Sequence, residues 1–121
     1  MAAKAKVLTH PTSGDSLIVL ITAEESDGAL FRFEYVSVAA LDTPSDHLHP
    51  DQEERIEVLR GTLRCRVADR EHELRPGDSI VIPAGVPHAI WNPDGAEARA
   101  IGEYRPALET QAMLEAYFTA A

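Results

Sequence analysis

At 121 residues, with 45% hydrophobic and 26% charged side chains, the chain has the size and composition of one globular domain and is too apolar to be disordered. Its net charge of −9, from 20 acidic against 11 basic residues, speaks against a nucleic-acid partner. The longest apolar run, 17–23, is too short to span a membrane, and Asp15 stands just before it where a signal peptide would carry positive charge, so the cytoplasm is the expected location.

Short runs rich in Val, Ile, Leu, Phe and Tyr, separated by Gly, Pro, Asp and Asn clusters, predict an all-β domain. Residues 1–14, ending in His10-Pro11-Thr12-Ser13-Gly14, read as an N-terminal arm or an edge strand. Strands are expected over 16–22, 29–39, 55–59, 62–68, 71–74, 79–82, 88–91 and 98–104, making a barrel of residues 15–105. Ser26-Asp27-Gly28, Ala68-Asp69-Arg70, Arg75-Pro76-Gly77-Asp78 and Asn92-Pro93-Asp94-Gly95 carry turn chemistry, and each is expected to link neighbouring antiparallel strands. After Pro106 the apolar Met113, Leu114, Tyr117 and Phe118 recur at helical spacing. They predict a C-terminal helix over 107–119, packed on the outside of its own barrel, with a dimer contact or a lid as the alternatives.

Two features of the hairpin region read as structural. Cys65, the single cysteine, forms no internal disulfide and alternates with Leu63 and Val67 as an inward strand residue does. Arg60, Arg64, Arg66 and Arg70 form a loose basic cluster, read as a solvated strand face that blunts a sheet edge, with an anion site as the alternative.

The chemistry concentrates in two patterns. In His47-Leu48-His49 the two imidazoles, two residues apart on an extended chain, point to the same face and make half a metal site. Four residues separate His49 from Glu54, which lies beyond the Pro50-Asp51 turn, where an antiparallel return brings its carboxylate beside the histidines. Glu53 competes for this role. Choosing Glu54 sends Ile56 and Val58 inward and leaves Arg55 and Glu57 outside, whereas Glu53 would bury Arg55 and Glu57. Six residues after Glu54, Gly61 opens the following hairpin. The second pattern begins sixteen positions after Gly61, with Gly77, Pro83, Gly85, His88 and Asn92 in order. Its glycines permit turns that a β-carbon would obstruct, and Pro83 stops one strand before His88 starts the next, which makes His88 the fourth candidate ligand. His72 matches neither pattern and is expected to be exposed.

Over residues 40–92 these patterns resemble the two signature motifs of the cupin superfamily, and the stretch from His49 to Glu54 is similar to that of small single-domain bacterial cupins. The resemblance implies one domain over 1–121, folded as a double-stranded β-helix (jelly-roll barrel) and paired as a homodimer. It also implies one divalent transition metal ion (Fe, Mn, Ni, Zn, Co or Cu) held by His47, His49, Glu54 and His88. One departure is Leu41, which stands where cupins usually place a glycine six positions before the first histidine; it bears on a local loop and not on the metal.

Three neutral imidazoles and one carboxylate would leave a divalent ion with a net charge of about +1 and, in an octahedral site, about two open positions. Such an ion takes a substrate oxygen as a Lewis acid, or dioxygen beside a chelated substrate. The expected function is therefore a metal-dependent oxidoreductase of dioxygenase-like type acting on a small organic substrate. Two alternatives stay open: a non-redox isomerase, cyclase or lyase that stabilises an enolate, and a small-ligand-binding cupin without turnover. Around the metal, Phe31, Phe33 and Tyr35 form one face of a strand, as cavity wall or as plain core. Ile90 shares the parity of His88 and faces the pocket, Trp91 faces away, and Tyr104 and Arg105 end the last strand near the mouth.

Overall fold

The computed structural model describes residues 6–38 and 44–119; Leu41 and the predicted strand end at Ala39 lie outside the described residues. In chain order the elements are β1 (Lys6–Thr9), β2 (Ser16–Ile21), β3 (Phe31–Ser37), β4 (Glu53–Arg60), β5 (Leu63–Val67), β6 (Arg70–Leu74), β7 (Ser79–Ile82), β8 (His88–Trp91), β9 (Ala98–Arg105) and α1 (Thr110–Thr119). The first six strands of the spatial order, β1-β2-β3-β9-β4-β7, make one sheet, and β6-β5-β8 make a second. All the pairings between these strands are antiparallel. The segment left open between an arm and an edge strand is an edge strand, β1.

Alternation fixes which face of the large sheet is the inner one. Along β4, Glu54, Ile56 and Val58 are buried while Arg55 and Glu57 are exposed. Across the β4–β9 register these three meet Tyr104, Gly102 and Ala100, and across the β3–β9 register the same residues of β9 meet Phe31, Phe33 and Tyr35. One inner face thus runs through three neighbouring strands.

That face is covered by two different partners. Its β4–β9 half packs on the small sheet in a core of Ile56, Val58, Leu63, Cys65, Leu74, Ile82, Ala98 and Ala100. Its β2–β3 half packs on the C-terminal segment, in a second core of Leu17, Val19, Phe31, Phe33, Tyr104, Ala107 and Phe118. The helix therefore lies on the inner face, correcting the expectation that it packs outside. Three short strands are too few to cover six, and the inward apolar residues of β2 and β3 would otherwise face water. Of the four apolar residues at helical spacing, Phe118 is buried and Met113 and Tyr117 are exposed. The helix starts at Thr110 instead of 107 because Leu108 sits at φ 46°, outside α-helical geometry.

The turns need a second correction. Ser26-Asp27-Gly28 and Ala68-Asp69-Arg70 do join paired strands. The segments 75–78 and 92–95 instead carry the chain from the small sheet to the large one, since β6 and β7, and likewise β8 and β9, belong to different sheets. Gly61 is held by space as well as by backbone angle: at φ +74° it has the Glu97 carbonyl oxygen 2.3 Å from where a β-carbon would be, closer than any side chain allows. Among the described residues no helix is long and apolar enough to cross a membrane.

Candidate metal centre

Two short backbone bridges assemble the site. His47 and His88 exchange N–H···O bonds of 2.9 and 2.8 Å, and Gly85 N–H donates to the His49 carbonyl at 2.8 Å. The segment carrying both first-motif histidines is thereby laid antiparallel to the start of β8. Glu54 enters from β4, in register with Ile82 on one side and Tyr104 on the other. One donor atom from each of His47, His49, Glu54 and His88 then lies within 4.8 Å of the other three. A single ion with bonds of roughly 2.0–2.2 Å bridges donors up to about 4.4 Å apart, so the four are nearly drawn up around one point. Glu54 and His88 form the buried base, and His47 is exposed at the opening.

The protonation pattern suits a cation. His88 Nδ1 lies 2.9 Å from the Val86 carbonyl, which only accepts, so this nitrogen carries the proton and Nε2 presents its lone pair to the cluster when the ring is neutral. That lone pair faces Glu54 Oε1 at 3.0 Å, an arrangement of two acceptors that calls for a proton or a metal between them. His49 Nε2 is buried without a hydrogen-bond partner. It lies 3.4 Å from the same Glu54 oxygen but out of line for a hydrogen bond. Burial opposes ionisation of Glu54, yet His49 and His88 outweigh it and hold its carboxyl down to about 2. Burial and the neighbouring histidines lower the His47 pKa, favouring a neutral ring. Burial also works against charging His88, but the Glu54 carboxylate and the Val86 carbonyl prevail and raise its pKa. A ready carboxylate, neutral imidazole and an orphaned buried nitrogen are the donor set that a divalent transition ion takes.

The family model for the cupin domain matches residues 34–102, more than half of the chain. The chain is a cupin. It is 36% identical over 62 residues to Protein SchB of Streptomyces halstedii, covering 51% of this chain and 45% of that protein. It is 30% identical over 95 residues to Oxidoreductase AOL_s00215g277 of Arthrobotrys oligospora, covering 69% of this chain and 38% of that one. The chain thus spans less than half the length of these curated relatives. Among solved structures, KdgF from Halomonas sp. superposes with a TM-score of 0.71 at 14% identity, over 86% of this chain and 89% of that one. FeII HppE superposes with a TM-score of 0.68 at 18% identity, over 86% and 58%. Both likenesses are of fold, and they place this cupin's two sheets as the faces of a jelly-roll barrel.

Inside the cupin barrel, His47 and Glu54 border a cavity of about 350 Å3 that continues between the sheets to α1. A larger, more open depression of about 550 Å3 lies on the opposite face of the large sheet, away from the histidines. Phe33 and Tyr35 wall the inner cavity, whereas Phe31 is core. Ile90 packs inward beside Cys65, and Trp91, expected to face away, is buried and borders the same cavity, with the Arg66 guanidinium 5.8 Å from its ring centroid. Tyr104 faces inward beside Glu54, and burial together with that carboxylate pushes its phenol pKa well up. Arg105 points the opposite way, onto Glu103. His72 is exposed.

Two supporting residues, Arg66 and Gln52, carry no signal that sequence reading uses. Arg66 is no mere solvated arginine: it binds Asp46 Oδ1 from Nε at 2.8 Å and the Pro44 carbonyl at 2.8 Å, clamping the residues just before His47 to β5. Arg64, by contrast, lies on the solvated face of the hairpin, pairing with Glu71 and Glu73. Gln52 is buried, and its Nε2 lies 3.0 Å from the carbonyls of Pro106 and Ala107 and 2.7 Å from Thr110 Oγ1, tying the start of β4 to the start of α1.

Proposed function

We propose that this cupin is a metal-dependent oxidoreductase of dioxygenase-like type acting on a small organic substrate, with one divalent transition ion held by His47, His49, Glu54 and His88. The observation that carries the reading is the convergence of these four donors at one end of a cavity between the two sheets and α1. The name of the Arthrobotrys relative, an oxidoreductase, favours redox chemistry over the isomerase or binder readings. When bound, the ion would supply Lewis-acid or one-electron chemistry beside the substrate. The chain's own groups do the positioning. Val86 orients the His88 ring through Nδ1, and Glu54 supplies the negative charge. Tyr104 keeps its proton, so its phenol presents a dipole and not a second anion beside Glu54.

Elemental analysis of protein purified without added metal should find about one equivalent of a transition metal, reduced to about a tenth or less in His88→Ala. Unchanged metal in the variant overturns the site. Oxygen uptake against a panel of phenols and enolisable acids then tests the reaction: consumption coupled to product supports it, product formed equally well without oxygen turns it into a non-redox enzyme, and ligand affinity with no product makes the protein a binder.

A further inference from the structure

The walls of the cavity beyond the donor cluster are apolar and aromatic: Phe33, Tyr35, Ile90 and Ala100 from the two sheets, with Leu114 and Tyr117 from α1. Among the described residues no lysine or arginine lines it, and the one cation outside the described residues is Lys4. The polar groups on the far wall are turned on one another. Asp15 accepts the Tyr35 hydroxyl at 2.9 Å on one oxygen and the Val38 N–H at 2.8 Å on the other. Asn92 donates to Ser37 Oγ at 3.3 Å and to the Ala96 carbonyl at 2.8 Å, and it accepts the Gly95 N–H at 3.0 Å. An anionic group placed here would lose its water, find no cation, and sit in the field of Asp15 and of a chain with net charge −9.

We infer that the substrate is a molecule with an uncharged, largely apolar and ring-bearing body, and that any anionic group it carries sits at the metal-ligand end. This rests on the proposed function only for where the head group goes. Selection against a second anion, such as a phosphate or a remote carboxylate, comes from the walls themselves. The α1 residues make the C-terminal helix part of the specificity surface, a role beyond covering β2 and β3.

The test uses near-isosteric probes and calorimetry. In full-length protein stripped by a chelator, 2-naphthalenesulfonamide should bind at least about tenfold more tightly than 2-naphthalenesulfonate, since burying an unpaired charge costs more than a kcal/mol-scale preference. Tyr117→Lys, at a half-exposed rim position where folding tolerates a lysine, should narrow that ratio at least about threefold. Equal affinity, tighter sulfonate binding, no binding of either probe, or an unaltered ratio in Tyr117→Lys would overturn the inference. In metal-loaded protein, 2,3-dihydroxynaphthalene and its 6-sulfonate carry the same chelating head and should show the same preference. Discrimination in stripped protein that disappears on loading would sink the placement of the head group at the metal, and leave the apolar cavity standing.

Discussion

The inner face of the large sheet is covered in two ways, and the two halves divide the work differently. Over β4 and β9 a second sheet lies against it, β4 alternates between buried and exposed side chains, and the resulting apolar core ends at Glu54 and His88. Over β2 and β3 the cover is one ten-residue helix whose fully buried apolar side chain is Phe118, anchored at its start through Gln52 and Thr110. Sheet against sheet repeats its contacts along several strands and holds ligands in register. The helix concentrates its hold in a few side chains, and so is the part through which stability can be altered without disturbing the donors.

The sharpest way to break this contrast is Phe118→Ala. Loss of a large buried aromatic should cost about 3–5 kcal/mol in urea denaturation, while the folded variant keeps its metal equivalent by elemental analysis. Metal lost in step with stability would mean that the two halves are one unit. The converse case is Arg66→Ala, which removes the clamp on Asp46 and Pro44. Metal affinity by chelator competition should fall about tenfold with a stability change under about 1 kcal/mol, because the lost contacts fix the approach of His47 and the ion pair is partly exposed.

The smallest effect concerns the outer face, where neither cover reaches. Glu103 is buried beneath Arg32 and Arg105. Burial opposes its ionisation, but the two guanidinium groups outweigh it and hold its carboxyl below the usual range. A depressed folded pKa gives stability that is present above the unfolded value, near 4.3, and is lost as pH falls through the folded one. Glu103→Gln should therefore lower stability at pH 7 by up to about 1 kcal/mol and shrink the loss on acidification between about pH 5 and pH 3. An acid limb identical to that of the wild type would show that the pair contributes nothing.

Much of the site was legible because a strand has a period of two. The same parity that places His47 and His49 on one face chooses Glu54 over Glu53, and burial along β4 follows that choice residue by residue. Cys65 and Ile90 were assigned inward by the same rule, and both pack in the inter-sheet core. Turn chemistry was less informative. Pro76-Gly77 and Pro93-Asp94-Gly95 announce a reversal of the chain, but a reversal into the facing sheet and a reversal into a paired strand use the same residues.

What the amino-acid order determined by itself was local: alternation, reversal, and the spacing that identifies a cupin and nominates four donors. Only the tertiary structure decided what covers each half of the inner face, that Arg66 and Gln52 brace the site, and that the cavity wall carries no described cation. Each of these depends on residues far apart in the chain, where burial of apolar surface and satisfaction of buried polar groups are settled by what the rest of the fold leaves uncovered.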